Sequence, residues 1–322
     1  MRSVFSFLFL LCLCLGSAPP VKAGPVESPQ KSESLSYPTL TPDPHILKKT
    51  GTATVIAVID ALRLQLDNDQ IIQLSELDSP DLLQADPGEL ALQGKELLES
   101  LFLNKKIIIY QSLTPQTGRT NRMGYELAHI IRADDSVWAQ GALLSAGLVR
   151  VRTTPDNNAL VSDMLTLEQN ARNVSVSASS PRKTLWTDEK YKILTPQTAQ
   201  TARREFQIVE GTVVSAATQK NVIYLNFGPN WRTDFTIGIK PEARRLFSKA
   251  GLQPLQWAGK TLRVRGWLED YNGPYIDIDH PQRIEFIEPE HPASTPPQPP
   301  VNPAKKVIKN ALPNPEKSGF NS

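Results

Sequence analysis

The sequence predicts a mainly β protein with helices (α+β), arranged as two small barrels in tandem. Three observations carry this expectation. Apolar residues recur at alternate positions in two separate blocks, both blocks share one element order, and Pro-rich stretches without apolar period flank them. In the first block "TATVIAVI", "LRLQL" and "IIQLSEL" read as three strands. A helix follows at "ELALQGKELLESLF", then strands at "KKIIIYQS" and "YELAHIIRA", then helices at "VWAQGALLSAG" and "NALVSDMLTLEQNAR". In the second block the strands "FQIVEGTVVSA", "NVIYLNF" and "DFTIGI" lead to a helix at "PEARRLFSKAG", then to "KTLRVRGWL" and "PYIDID". Three strands, a helix and two further strands is the order of an OB-fold barrel. Two tandem OB-fold barrels are therefore expected, at residues 50–192 and 206–287, joined near residues 192–205.

The ends have a different character. Arg2 precedes the apolar run "VFSFLFLLCLCLG" and then "SAPPVKA", whose small residues suit cleavage after Ala23. Residues 1–23 thus read as a signal peptide, too short for a stable membrane anchor, which is the alternative reading. The expected product is exported, periplasmic or secreted, with no transmembrane segment in the mature chain. Residues 24–49 read as a disordered linker, and residues 288–322 as a Pro-rich disordered tail. Both cysteines, Cys12 and Cys14, fall inside the signal segment. A mature chain without cysteine has no disulfide, thiolate metal site or cysteine nucleophile. The four histidines lie far apart without ligand spacing, which speaks against zinc and against a serine–histidine triad. No cofactor is expected.

Several motifs of the first block stand in a telling order: "VID", "LDSPD", "NRMGYELAHI", "GALLSAGLVRV" and "TLWTD". With these motifs the stretch from Thr50 to Lys192 resembles the thermonuclease (staphylococcal nuclease-like) family. The second block is similar to the OB-like domain appended to some bacterial thermonuclease-like proteins, at "VEGTVV", "YLNFG", "WRTDF" and "VRGW". The resemblance implies a barrel of the staphylococcal nuclease-like type and calcium-dependent hydrolysis of phosphodiesters in DNA and RNA. Such chemistry needs carboxylate ligands for the ion, a carboxylate base and arginine forks on the phosphate.

Carried onto this chain, the family's residues are mostly replaced. Asp60 remains, but the calcium-binding aspartate position two residues later holds Leu62. The first arginine position is Gln73 and the second is Tyr125. Asp78 survives as a metal ligand beside Ser79, and the glutamate base is shortened to Asp81, which with Asp78 is what remains of a metal site. Strand alternation puts Leu62, Leu64 and Leu66 on one apolar face, and by the same parity Arg63 and Glu76 point away from the site. Arg122, on a loop, is the remaining substitute cation. Asp78 and Asp81 also fit a plainer role as loop caps before the helix. Residues 50–192 carry 14 Lys and Arg against 18 Asp and Glu, the wrong bias for a polyanion groove. The expectation is a protein that has lost catalysis and binds a partner. The alternative is a weak secreted endonuclease that still requires calcium.

The second block offers more to a ligand. Alternation turns Ile223, Leu225 and Phe227 inward and Tyr224 outward, and leaves Arg263, Arg265 and Trp267 outside. Trp231 and Arg232 add a loop. Aromatic and basic groups on one surface suit single-stranded nucleic acid, with a cell-envelope protein as the other partner class. The competing reading makes Trp231 or Trp267 glue between the barrels.

Overall fold

The computed structural model describes residues 36–80, 82, 87–177, 183–201 and 204–287. The expected signal peptide, linker residues 24–35, Asp81 and the Pro-rich tail lie outside the described residues. Among the described residues no helix is long and apolar enough to cross a membrane.

The first block contains a closed five-stranded barrel, a fold compatible with the OB type. Its strands are β1 (Leu47–Val58), β2 (Arg63–Leu66), β3 (Ile71–Leu74), β5 (Lys106–Ser112) and β6 (Glu126–Arg132), and a short β4 (Leu77–Asp78) lies outside it. Their order is β1-β2-β3-β6-β5, and β3 runs parallel to β6. Closure depends on the long β1. It pairs with β2 near its end and with β5 along its start, and irregularities at Val55/Ala57 and Lys49/Gly51 bend it from one partner to the other. Alternate residues fill the interior, among them Leu64, Leu66, Ile72, Leu74, Ile107, Ile109, Ala128 and Ile130.

Helix α1 (Glu89–Phe102) buries Leu90, Ala91, Gly94, Leu98, Leu101 and Phe102, a stripe at helical spacing. Gly94 lets the helix lie against Ala61, because a Cβ there would stand 2.9 Å from the Ala61 Cβ. Helices α2 (Ala139–Ser145) and α3 (Val161–Ser177) flank β7 (Arg150–Val151), which pairs with β4. Residues 36–49 depart from the expected linker. Thr39 bridges to Val137, the Trp138 amide donates to the Pro38 carbonyl, and Tyr37, Leu40 and Leu47 pack on the barrel core. The prolines there punctuate an ordered segment, and those three apolar side chains supply the burial that orders it.

The second block has the expected element order with additions. Its strands are β8 (Phe206–Thr212), β9 (Ser215–Gln219), β10 (Val222–Asn226), β11 (Thr236–Ile239), β12 (Thr261–Trp267), β13 (Glu269–Asp270), β14 (Pro274–Asp277) and β15 (Ile284–Phe286), with α4 (Pro241–Lys249) after β11. These form a five-stranded sheet, β13-β14-β11-β10-β9, and a three-stranded sheet, β15-β12-β8, where one closed barrel was expected. The chain breaks its ladder between Thr212 and Ser215, so β8 pairs with β12 while β9 pairs with β10. One core fills the space between them, including Leu225, Phe235, Ile237, Phe247, Leu262, Val264 and Ile276.

Both blocks belong to one compact unit from Tyr37 onward. Leu148, Ala171, Leu185, Trp186 and Tyr191 of the first block share a buried cluster with Ile208 of the second. Through this junction runs an ion network. Arg265, with 0% of its surface exposed, donates to Glu168 at 3.1 and 3.2 Å, to Glu285 at 2.5 Å and to the Val151 carbonyl at 3.0 Å. Arg263 beside it donates to Glu210 at 2.9 Å and to Gln169 at 3.0 Å. Complete burial acts to lower the Arg265 pKa, and Glu168 and Glu285 outweigh it and hold the guanidinium charged.

Removing one member of a buried pair leaves the other charge without compensation. Arg265→Met is expected to cost about 3–5 kcal/mol in a urea unfolding series. Adding Glu168→Gln should recover part of that loss, since the new side-chain amide carries no charge and its oxygen still accepts from the Val151 N–H.

Candidate functional site

On the outer face of the barrel, β2 and β3 place Arg63 directly opposite Gln73. Parity alone turns Arg63 away from the site, and the register corrects this, because directly opposed residues project to the same side. Its guanidinium holds Asp60 at 2.6 Å, lies 5.4 Å from the Tyr125 ring centroid, and donates to the Tyr125 hydroxyl at 3.4 Å. The hydrogen bond from Arg63 to Asp60 raises the Arg63 pKa, and burial offsets part of it. Gln73 accepts a hydrogen bond from Asn121 at 2.7 Å. Asn121 also caps the turn through the amides of Met123 and Tyr125, which leaves Arg122 exposed on that turn. Leu62 is only 7% exposed and packs in the barrel core, its amide capped by Asp60 at 2.8 Å.

Asp78 lies elsewhere, where β4 crosses to β7. It is paired in register with Arg150, whose Nε donates to it at 2.8 Å. Arg150 is itself fixed by the Phe206 carbonyl at 2.6 Å and by the rings of Tyr191 and Phe206. Arg152 reaches Asp78 at 3.9 Å and stacks toward Trp267 at 5.7 Å. Asp78 is thus bound across a strand pair. Calcium needs six or more oxygen ligands, and these residues do not fit it. Leu62 is apolar and buried, and Asp60 and Asp78 are each paired with a guanidinium. Among the described residues no group of three His, Cys, Asp or Glu is placed to hold a metal. Asp81 lies outside the described residues.

Parity sets Glu76 aside as well, and the structure gives it a different place. It occupies the left-handed region at φ 63° and is buried, 3.6 Å from His129. Neither carboxylate oxygen has a hydrogen-bond partner among the described residues. Burial pushes the Glu76 carboxyl up, and His129 and then His280 pull it partly back. Strand pattern gave no signal of this pair, since it forms where β3 has ended. Both side chains are closed off from solvent.

The second block brings only some of its expected residues together. Tyr224 and Trp231 line a groove of about 270 Å³ with Tyr271, Tyr275, Gln219, Asn226, Asn272 and Thr236. Tyr224 lies opposite Gly238 on β11 and Ala217 on β9, two small residues that keep the sheet face open. Tyr275 reaches over Gly238, where a Cβ would come within 1.8 Å of the phenol oxygen. Trp231 is set on a loop closed by the Asn230 amide donating to Asp234 at 2.8 Å, and Arg232 stacks on it at 4.5 Å. Burial raises the Tyr224 hydroxyl pKa, helped by Tyr271 and Asp277, and burial with Asp277 raises that of Tyr275.

Arg263 and Arg265 are not on this surface. They leave the second core on the outward side, as alternation requires, but the first block covers them. Trp267 is 47% exposed near that junction, away from the groove. The tyrosines at 271 and 275 went unseen because a short hairpin, β13 to β14, folds them onto a sheet whose pattern lies elsewhere in the chain. No family model and no curated protein matches the chain.

The raised Glu76 pKa has a definite pH signature. The folded state holds the Glu76 proton more tightly than the unfolded chain, so this group's contribution to stability declines as pH rises from the ordinary glutamate range through its raised value. Glu76→Gln should therefore stabilise the protein at neutral pH by on the order of 1 kcal/mol. The gain should vanish at acid pH, where both states are protonated, and thermal melts across pH would show it.

Proposed function

We propose that the chain is an exported thermonuclease-like protein, built on an OB-type barrel and an OB-like second block of two sheets, that has lost phosphodiester hydrolysis and works by binding. The observation that carries this is the internal use of the site's charges: Asp78 is bound by Arg150 and Asp60 by Arg63. A transition state that gathers negative charge on phosphate oxygens needs donors that are free to meet it, and each lost donor costs about 10²–10³ in rate. Gln73 and Tyr125 occupy the two arginine positions that the resemblance assigns to that work, and Leu62 occupies a ligand position.

The binding surface in this reading is the aromatic groove of the second block. A second reading, a weak calcium-dependent endonuclease, is favoured by one observation. Arg63 stands beside Tyr125 and opposite Gln73, so a guanidinium is present on the face where the family's arginines act. The partners in the first reading are a single-stranded nucleic acid or a cell-envelope component.

The mature chain from Gly24, incubated with DNA and RNA in excess calcium, is expected to give no turnover above a chelator control. Turnover that is abolished by chelator and by Asp81→Ala would establish the endonuclease instead. N-terminal sequencing of the exported protein should find Gly24 first.

A further inference from the structure

We propose that the groove between Tyr224, Trp231, Tyr271 and Tyr275 binds a neutral oligosaccharide, one sugar ring seated inside and the chain continuing over the exposed aromatics. This deepens the reading of the chain as a binding protein and rests on it.

The shape of the groove fits such a ligand. Its volume, about 270 Å³, is at the lower edge of the ~300–1,000 Å³ range of small-molecule pockets, space for a single ring. Tyr275 is buried and forms part of the floor, with the Tyr271 ring 5.4 Å away and steeply inclined to it. Trp231 and Tyr271 are 48% and 55% exposed at the rim, with Arg232 stacked on Trp231. A pyranose ring presents C–H faces that pack on aromatic rings, while its hydroxyls point sideways.

The polar groups match those hydroxyls. Gln219, Asn226, Asn272 and Thr236 line the groove, and each can both donate and accept. A sugar hydroxyl does the same, whereas a phosphate only accepts. Asn226 is held in place by Ser215 and Thr236, at 3.0 and 3.3 Å, so its amide is oriented before any ligand arrives.

Charge then separates sugar from nucleic acid. None of the lining residues is Lys or Arg. Lys240 nearby is paired with Asp277 at 2.5 Å, and Asp277 and Glu269 both act on Tyr275. Arg232 is at the rim, stacked on Trp231. A polyanion needs several cations, and the lining supplies none. An uncharged ligand needs none.

The test uses the mature full-length chain and isothermal titration with neutral hexasaccharides of N-acetylglucosamine, glucose and mannose, with oligothymidylate as a separate arm. Saturable binding to at least one hexasaccharide is expected, unchanged between low and high salt. Trp231→Ala and Tyr271→Ala should each weaken it by about tenfold or more, and Trp231→Phe should retain most of it. No binding to any of the three, or binding untouched by both alanine variants, overturns the proposal. Binding of oligothymidylate alone rejects the sugar and keeps the binding-protein reading. Calcium-dependent cleavage of oligothymidylate removes that reading itself.

Discussion

Arg265 holds its charge with no contact to water, and much of the architecture is arranged to make that tolerable. Its guanidinium takes ligands from three other elements: Glu168 on α3, the Val151 carbonyl on β7 and Glu285 on β15. Glu168 in turn accepts the Val151 amide at 2.6 Å. Taking such a group out of water costs several kcal/mol, which close and well-directed partners must offset. An apolar contact of the same size would tolerate sliding and rotation, but a bidentate fork does not. The network therefore fixes the angle at which the second block meets the first. Nearby, the Arg263 and Arg150 contacts and the hydrogen bond between His280 and Thr153 extend the same constraint.

The junction also shows where the cationic chemistry of this chain has gone. Arg150, Arg263 and Arg265 are all committed to carboxylates or carbonyls of the protein itself. The outer face of the first barrel carries the Arg63 guanidinium and pairs it with Asp60. Turned inward to hold two blocks together, these three guanidiniums are not presented to phosphate. The groove of the second block is lined instead by phenols, an indole and amides, the chemistry from which the proposed uncharged ligand is argued.

How far the sequence anticipated this depends on which kind of information each feature needs. Helix α1 was legible to its last residue because its apolar stripe is local and periodic. The strands of the barrel were legible for the same reason, although β4, β9, β13 and β15 are too short or too polar to stand out. Leu62, Leu64 and Leu66 share a buried face as alternation requires. Alternation says which side of a strand a residue takes, and it is silent on what covers that side. That is why Arg265 looked exposed and Arg63 looked misplaced. The pairing of Asp78 with Arg150 spans 72 residues, and no local pattern encodes it. Tyr224 and Trp231 were found from the sequence, but the rings that complete their groove come from a hairpin far along the chain, visible only once the sheet is assembled.

The phenol of Tyr275 lying across Gly238 has a consequence for how this surface can diverge. The two positions sit on neighbouring parallel strands, and the space of one missing methyl group is occupied by the oxygen of the other residue. Any side chain at 238 would displace the ring. Tyr271, packed edgewise on it, would move as well. Position 238 thus works as a depth stop: its smallness decides how low the floor sits, though it does not line the groove itself. A larger residue at 238, hidden beneath the rings, would therefore reshape the groove without appearing on its surface.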